Sequence, residues 1–302
     1  MRYLWLIAAV ALLAIVAYWS WPRFRPEDPM ESAPTPKERN ELKELLPPPD
    51  PPKPKKIKTK PGAPVKAKAT AEEFNEPSPI VEFVVRDGMA IAFGDIVLGT
   101  PDEETLKQGY TELPRPNYWD KPEIPYAIND DVPQPAEVRR ALRHLEQKTG
   151  LKFVPYETQA DALIFQGGSE HCESPLGRLG GLQPIRLSKG CGWSEIVHEI
   201  LHALGFIHEQ SRTDRDPFVQ VVWSNIEEKY WPQFQKLPED LMGPARERSF
   251  DYHSIMLYER DLFAKQDGLI TLKTLTPQDI APSRAGLSAE DIIRVKKMFR
   301  LD

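Results

Sequence analysis

Cysteine is nearly missing from this 302-residue chain; Cys172 and Cys191 are the two present. Two cysteines allow one disulfide and no more. A positive charge excess is missing too. Lys and Arg number 39 against 45 Asp and Glu, giving a net charge of -6, which argues against nucleic acid as a partner. No internal repeat is visible, and the length suits one or two domains.

Proline, by contrast, is plentiful at 31 residues, 15 of them between Pro22 and Pro79. That stretch also carries the basic run Lys53 to Lys60. Such composition cannot bury a core and predicts an extended linker over 22–79 with polyproline character. Before it, residues 1–21 read as a signal peptide or signal anchor. Arg2 precedes an apolar run from Tyr3 to Tyr18, continuing to Trp19 and Trp21. Its length lies between a signal-peptide core and a full span. Bulky Tyr18 and Trp19 spoil the nearest cleavage pattern at Ala14 to Ala17, so an uncleaved membrane anchor is favoured.

Structure is expected from residue 80. Val81 to Arg86, Asp87-Gly88 and Met89 to Phe93 predict a hairpin with a tight turn. The stretch Phe93-Gly94-Asp95-Ile96 follows, and Thr100 to Pro116 reads as a polar, accessible connection. From Tyr118 onward the sequence suits one ordinary domain. Ile124 to Ile128, Lys152 to Pro155 and Ala162 to Phe165 read as strands. A helix begins at Pro135, carries Val138, Ala141, Leu142 and Leu145, and is closed by Gly150. This order suggests an α/β lobe with a mostly parallel sheet. A last helix over Ala289 to Leu301 has Ser288 as N-cap and Ile292, Ile293, Val295 and Phe299 as apolar positions.

The chemistry is concentrated between His198 and Glu209. His198 and His202 are four residues apart, which on a helix puts both imidazoles on one face. Ser194 is the candidate N-cap, and Ile196, Val197, Ile200, Leu201 and Leu204 form the buried face. Gly205 can adopt the left-handed conformation that ends a helix, letting the chain turn back and bring His208 to the same point. Three imidazoles can hold one Zn²⁺ and leave a coordination position open, as catalytic zinc requires. Glu199 has no ligand duty and is placed to act on water at that position. The spacing HExxHxxGxxH is the metzincin form of the zinc-protease signature. A carboxylate delivered to the open position, such as that of Asp95, would silence the site. Cys172 and Cys191 flank the glycine-rich stretch Gly177 to Gly181. An even count in an exported chain favours one disulfide; two free core thiols, the alternative, conflict with the amino terminus. The cluster Arg212, Asp214, Arg215 and Asp216 reads equally as surface or as support for the metal ligands.

Together these residues resemble the astacin family of metzincin zinc endopeptidases, in a bacterial-type form with a pro-segment and an amino-terminal membrane anchor. The matching positions are His198 to Glu209, Arg212, Asp214 to Asp216, Asn225-Ile226, Ser254 to Tyr258, Gly177 to Gln183, Gly190-Cys191 and Ile124 to Tyr126. Phe93 to Asp95 resembles the family's latency motif. The resemblance implies an α+β, two-lobed metzincin fold, with the zinc helix against a twisted, mostly parallel sheet and a mostly irregular second lobe ending in a helix. It divides the chain into a pro-segment at 80–117 and a protease domain at 118–302. It implies one zinc per chain held by His198, His202 and His208, with Glu199 as general base and then proton donor. Tyr258 would be a further ligand that swings away to stabilise the oxyanion, Met256 would form the turn beneath the metal, and Asp95 would bind zinc in the latent form. Glu209 would lie near the buried mature amino terminus. Substrate would lie antiparallel to an edge strand upstream of the zinc helix. The family commonly has two disulfides, so with Cys172–Cys191 alone the second lobe must be held by packing. His171 to Gly177 lacks the usual aromatic residue, which leaves the subsites open.

The function implied is hydrolysis of peptide bonds in proteins by a latent zymogen, at the cell envelope or secreted. The chain is expected to be a monomer whose partners are peptide substrate and, through an uncleaved amino terminus, membrane. The alternative is a zinc-bound envelope interaction module without turnover; intact Glu199 and Tyr258 speak against it, because binding alone needs neither. Candidate activation cuts follow Arg115, disfavoured by Pro116, or Lys107.

Overall fold

The computed structural model describes residues 79–243 and 248–301. The expected anchor at 1–21 and nearly all of the linker at 22–79 lie outside the described residues. The first elements are short strands: β1 (Ile80–Glu82), β2 (Val84–Arg86), β3 (Met89–Ala92) and β4 (Ile96–Gly99). They are followed by helix α1 (Glu103–Gln108) and β5 (Tyr110–Glu112). The larger part continues with β6 (Glu123–Ile128), α2 (Pro135–Thr149), β7 (Lys152–Pro155), β8 (Ala162–Gln166), β9 (Leu182–Arg186) and α3 (Trp193–Leu204). It ends with β10 (Val219–Val221), β11 (Leu272–Thr274) and α4 (Ala289–Phe299).

One expectation about the first segment needs correction. The run Val81 to Arg86 is not one strand. β2 pairs with β3 around the Asp87-Gly88 turn, while β1 turns aside and pairs antiparallel with β5. The stretch 100–116 is polar and mostly exposed, as expected, and it also carries regular structure. Asp102 caps α1 by accepting from the Thr105 amide at 2.8 Å, and β5 follows directly. Polarity there reflects a one-sided, solvated helix with no buried residue.

The larger part contains a four-stranded sheet in the order β7-β6-β8-β9, every pair parallel. The sequence reading missed β9, whose glycine-rich approach hides it. Helix α2 starts with Pro135 at its first turn and ends at Gly150, and its stripe Val138, Ala141, Leu142 and Leu145 is buried. Helix α3 is buried nearly all round, as a helix at the centre of a domain must be. Its cap is Gly192, not Ser194; Ser194 is buried one position into the helix. Side chains of α2, α3, β6, β8 and α4 share one core, including Leu145, Phe165, Ile196, Ile200 and Val295.

A second core gathers Val219, Ile226, Phe234, Tyr252, Leu257 and Leu272 around the β10–β11 pair. This lobe is mostly irregular, and it is not held by apolar packing alone. The Asp291 carboxylate, fully buried on α4, accepts from Ser254 Oγ at 2.7 Å and the Ile255 amide at 2.9 Å. Those bonds hold Ser254 to Tyr258 in a turn. Within α4, Ser288 and Asp291 form a reciprocal capping box, while Ile293 is exposed and not a core position. A third core joins the first segment to the rest: Val81, Phe93, Ile96 and Leu113 pack with Leu176, Ile207, Leu241 and Met242. The mixed sheets and helices in two lobes agree with the expected α+β class.

Candidate metal centre

Helix α3 puts His198 and His202 on one face, and Gly205 ends it with φ 105°. A Cβ on Gly205 would lie 2.6 Å from Tyr118 Cε1, so the left-handed turn and the close approach both require glycine. The chain then doubles back, and His208 Nε2 lies 3.1 Å from His198 Nε2 and 3.3 Å from His202 Nε2. Asp95 completes the group: Oδ2 is 3.4 Å from the Nε2 atoms of His198 and His208, and Oδ1 is 3.3 Å from that of His202.

These four side chains fit a metal ion. His198 Nδ1 faces the Ile255 carbonyl at 2.8 Å and His202 Nδ1 faces the Phe206 carbonyl at 2.7 Å. A carbonyl oxygen only accepts, so each Nδ1 carries the proton and each Nε2 presents its lone pair inward. Lone pairs converging at such distances repel unless a cation lies among them. Ligands at 2.0–2.1 Å from a tetrahedral ion are about 3.3–3.4 Å apart, which matches the observed spacing. Asp95 Oδ1 accepts no hydrogen bond from the described residues. Burial pushes His202 down to about 4 and lowers His208, keeping both as neutral donors. At His198 burial also works downward, but the Asp95 carboxylate beside it outweighs burial and raises the group.

Around the cluster, Glu199 is buried and its Oε2 has no hydrogen-bond partner among the described residues. Burial, then the charges of Asp95, Glu173 and Glu195, push its carboxyl well above the usual range. The Tyr258 ring lies tilted against His208 with ring centroids 4.7 Å apart, and its hydroxyl donates to the Phe93 carbonyl at 2.6 Å. Burial, with the Asp95 charge, raises that phenol well above 10.0. Met256 is buried, and its carbonyl accepts from the Glu209 amide at 2.9 Å. Cys172 and Cys191 are joined, tying the loop after β8 to the start of α3.

Asp95 reaches the histidines through a tight reversal. Phe93 (φ 50°) and Gly94 (φ 93°) are both left-handed, and a Cβ on Gly94 would lie 2.8 Å from the Tyr258 hydroxyl. Ser174 then fixes the direction of the chain. Its amide donates to the Asp95 carbonyl at 3.0 Å, and the Val97 amide donates to its carbonyl at 2.9 Å. The bridge Ile96–Ser174 is parallel.

Sequence reasoning placed Glu209 near an amino terminus. In the structure its carboxylate accepts from both Arg294 Nη atoms (2.8 and 2.9 Å), from Arg212 Nη1 (3.2 Å) and from the Asp251 amide (2.7 Å). Arg212 is wholly buried and also grips Asp214 with two bonds of 2.8 Å. Arg215 donates to the carbonyls of Gln210 and Phe234. Arg212 and Arg215 are buried and bond to Glu209 and Gln210, the residues that follow His208, while the Asp214 and Asp216 side chains remain part-exposed. Arg86, Glu173, Arg186, Asp291 and Arg294 were missed. The signal for Asp291 was the capping-box spacing from Ser288; the others carry none, because their partners are remote in sequence.

The sequence model of the Astacin peptidase family matches residues 112–300. Zinc metalloproteinase nas-13 of Caenorhabditis elegans is 33% identical over 184 residues, covering 60% of this chain and 40% of that protein. Zinc metalloproteinase nas-4 of the same organism is 33% identical over 218 residues, 68% of each chain. Among solved structures, High choriolytic enzyme 1, a hatching enzyme zinc-protease from Oryzias latipes (Medaka fish), is similar with a TM-score of 0.56 and 31% identity. It covers 61% of this chain and 95% of its own. The chain spans 40% and 48% of the length of the first two curated relatives it matches.

Proposed function

This chain belongs to the astacin family of peptidases, and on that premise we propose that it is a zinc-dependent endopeptidase made as a latent zymogen. The observation that carries the reading is the convergence of three inward-facing Nε2 atoms with Glu199 beside them. His198, His202 and His208 would hold one zinc ion. When bound, zinc supplies a Lewis acid that polarises a peptide carbonyl and makes water acidic enough to react near neutral pH. Glu199 takes the proton of the attacking water and returns it to the leaving amine. Its unpartnered, buried Oε2 supports that role. Tyr258, once free of Phe93, donates its hydroxyl to the developing oxyanion. Met256 and the bonds of Asp291 brace the floor of the site.

The latent state is residues 80–117 lying in the cleft. Asp95 lies among the three histidines, where it would exclude a water from the metal, and the Phe93 carbonyl occupies the Tyr258 hydroxyl. The parallel pairing with Ser174 runs against the antiparallel course expected of substrate, so the segment blocks the edge without offering a bond for cleavage. Protein or peptide is the substrate. Export is supported by the Cys172–Cys191 bridge and by the apolar amino terminus; no helix among the described residues is long and apolar enough to cross a membrane. The test is cleavage of casein by the chain after limited proteolysis, with and without a chelator. Activity lost with the metal and restored by one equivalent of zinc is expected; chelator-resistant activity, or none at all with zinc bound, overturns the reading.

A further inference from the structure

We propose that Glu173 forms a subsite of the cleft that takes a cationic side chain of the peptide substrate, and that Arg86 fills this subsite in the latent chain. The inference rests on the peptidase reading above. The edge beside the histidines already carries an added extended chain, because Ser174 exchanges backbone bonds with Asp95 and Val97. A peptide laid along this edge uses the same Ser174 groups. Glu173 comes immediately before. Its amide and carbonyl both pair inward with Arg186, at 3.0 and 2.9 Å. Directly opposed antiparallel residues put their side chains next to each other on one face.

The Glu173 side chain is 0% exposed and lies between two cations. Arg186 Nη1 is 3.3 Å from Oε2 and Arg86 Nη1 is 3.4 Å from Oε1. Asp87 Oδ2 closes the row, 3.0 Å from Arg186 Nη2. Charges therefore alternate as Arg86, Glu173, Arg186, Asp87. The inner pair belongs to the protease domain; the outer pair is the hairpin turn that leaves with the pro-segment. Departure of the hairpin takes the cation from Oε1 and opens that oxygen to the cleft. Arg86 also donates to the Gly94 carbonyl at 2.6 Å, next to Asp95, so the vacated position adjoins the metal centre.

The mirror possibility, an anionic side chain on Arg186 in place of Asp87, is disfavoured. Asp87 is 44% exposed at the rim, where solvent screens the pair. Glu173 is buried and accepts no hydrogen bond at Oε2, so it depends on cations.

The test compares fluorogenic peptides identical except for Lys, norleucine or Glu at one position, scanned along the residues flanking the cut. They are assayed on the full chain after limited proteolysis, as wild type and as Glu173→Gln and Glu173→Asp. The readout is the ratio of kcat/KM between peptides within each protein, so a general loss of activity cancels. At one position wild type should favour Lys over norleucine about tenfold. Glu173→Gln should bring the ratio close to one, and Glu173→Asp should retain part of it. Equal rates for all three peptides at every position in wild type, a preference for Glu, or a Lys preference untouched in Glu173→Gln each overturn the proposal. If nothing is cut, the peptidase reading has failed, and anisotropy with the same peptides still decides the subsite. Tighter binding of the Lys peptide to wild type but not to Glu173→Gln supports it; equal affinities overturn it.

Discussion

Glu199 follows His198 and precedes His202 by three residues, yet it takes no part in the ligand cluster and leaves Oε2 without a partner. A buried carboxyl with one oxygen left open is placed to bond a transient partner. Glu199→Gln keeps the shape and removes the base. The variant should bind one zinc per chain, measured by atomic emission, while casein cleavage falls about 10²- to 10⁴-fold. Wild-type turnover in that variant would dismiss the assigned role. Gly205 makes a second case at this scale. Its left-handed φ and the Tyr118 ring at 2.6 Å from a virtual Cβ act together. Gly205→Ala should therefore cost about 1–3 kcal/mol in urea unfolding and loosen zinc affinity by displacing His208. The three histidines, Glu199 and Gly205 were legible in sequence because each acts through a fixed offset on one helix and its cap. The bond from Tyr258 to Phe93 spans 165 residues, and no local spacing encodes it.

Among the elements, legibility followed the length of the pattern. Helix α2 opens on Pro135, closes at Gly150 and carries an apolar stripe, α4 opens on Ser288, and both are legible in the sequence. The strands β1 and β2 are three residues each, separated by Phe83 alone, and which neighbour each pairs with depends on β5, some thirty residues away. Glu209 shows the same limit: its partner Arg294 lies on the last helix, 85 positions downstream. That pair ties α4 to the segment carrying His208, with both side chains 2% exposed. Arg294→Met should leave a buried carboxylate with Arg212 as its remaining cation and destabilise the chain by about 3–5 kcal/mol. Equilibrium urea denaturation measures this, and a change within error would mean that Arg212 alone satisfies Glu209. The Cys172–Cys191 bridge closes a loop with a sequence separation of 19 and contains β9. Replacing both cysteines with serine should lower stability by about 3 kcal/mol. Non-reducing peptide mapping of native material should recover the linked pair; free thiols there would contradict export as well.

For the whole molecule, the segment 80–117 acts in three ways at once. Asp95 supplies a charge to the histidine cluster, Phe93 and Ile96 are buried in a shared core, and the chain 95–97 occupies the sheet edge at Ser174. Burial of two large apolar side chains contributes about 1.5–3 kcal/mol each, so removing the carboxylate leaves most of the packing in place. The intact chain should accordingly be inactive on casein. Asp95→Ala should raise the activity of the uncut chain by at least about tenfold, the loss of one metal-directed charge, yet leave it well below the cleaved form. Cutting should release full activity only when the segment dissociates. Its dissociation requires separation of the core around Phe93, Ile207 and Met242, so a chain nicked within α1 should stay partly inhibited at low temperature and open on warming. Of the two candidate cuts, Lys107 lies in exposed α1, while Arg115 is ion-paired with Asp240 at 2.6 Å. A protease must unfold the helix locally to cut the first and break the ion pair to reach the second. The measurement is activity of intact, nicked and fully processed chain, each checked by mass spectrometry, in wild type and Asp95→Ala. Equal activity of intact and processed wild type would end the latency reading and leave the metal centre standing. Full activity of intact Asp95→Ala would show instead that the carboxylate alone enforces latency and the apolar core contributes nothing to it.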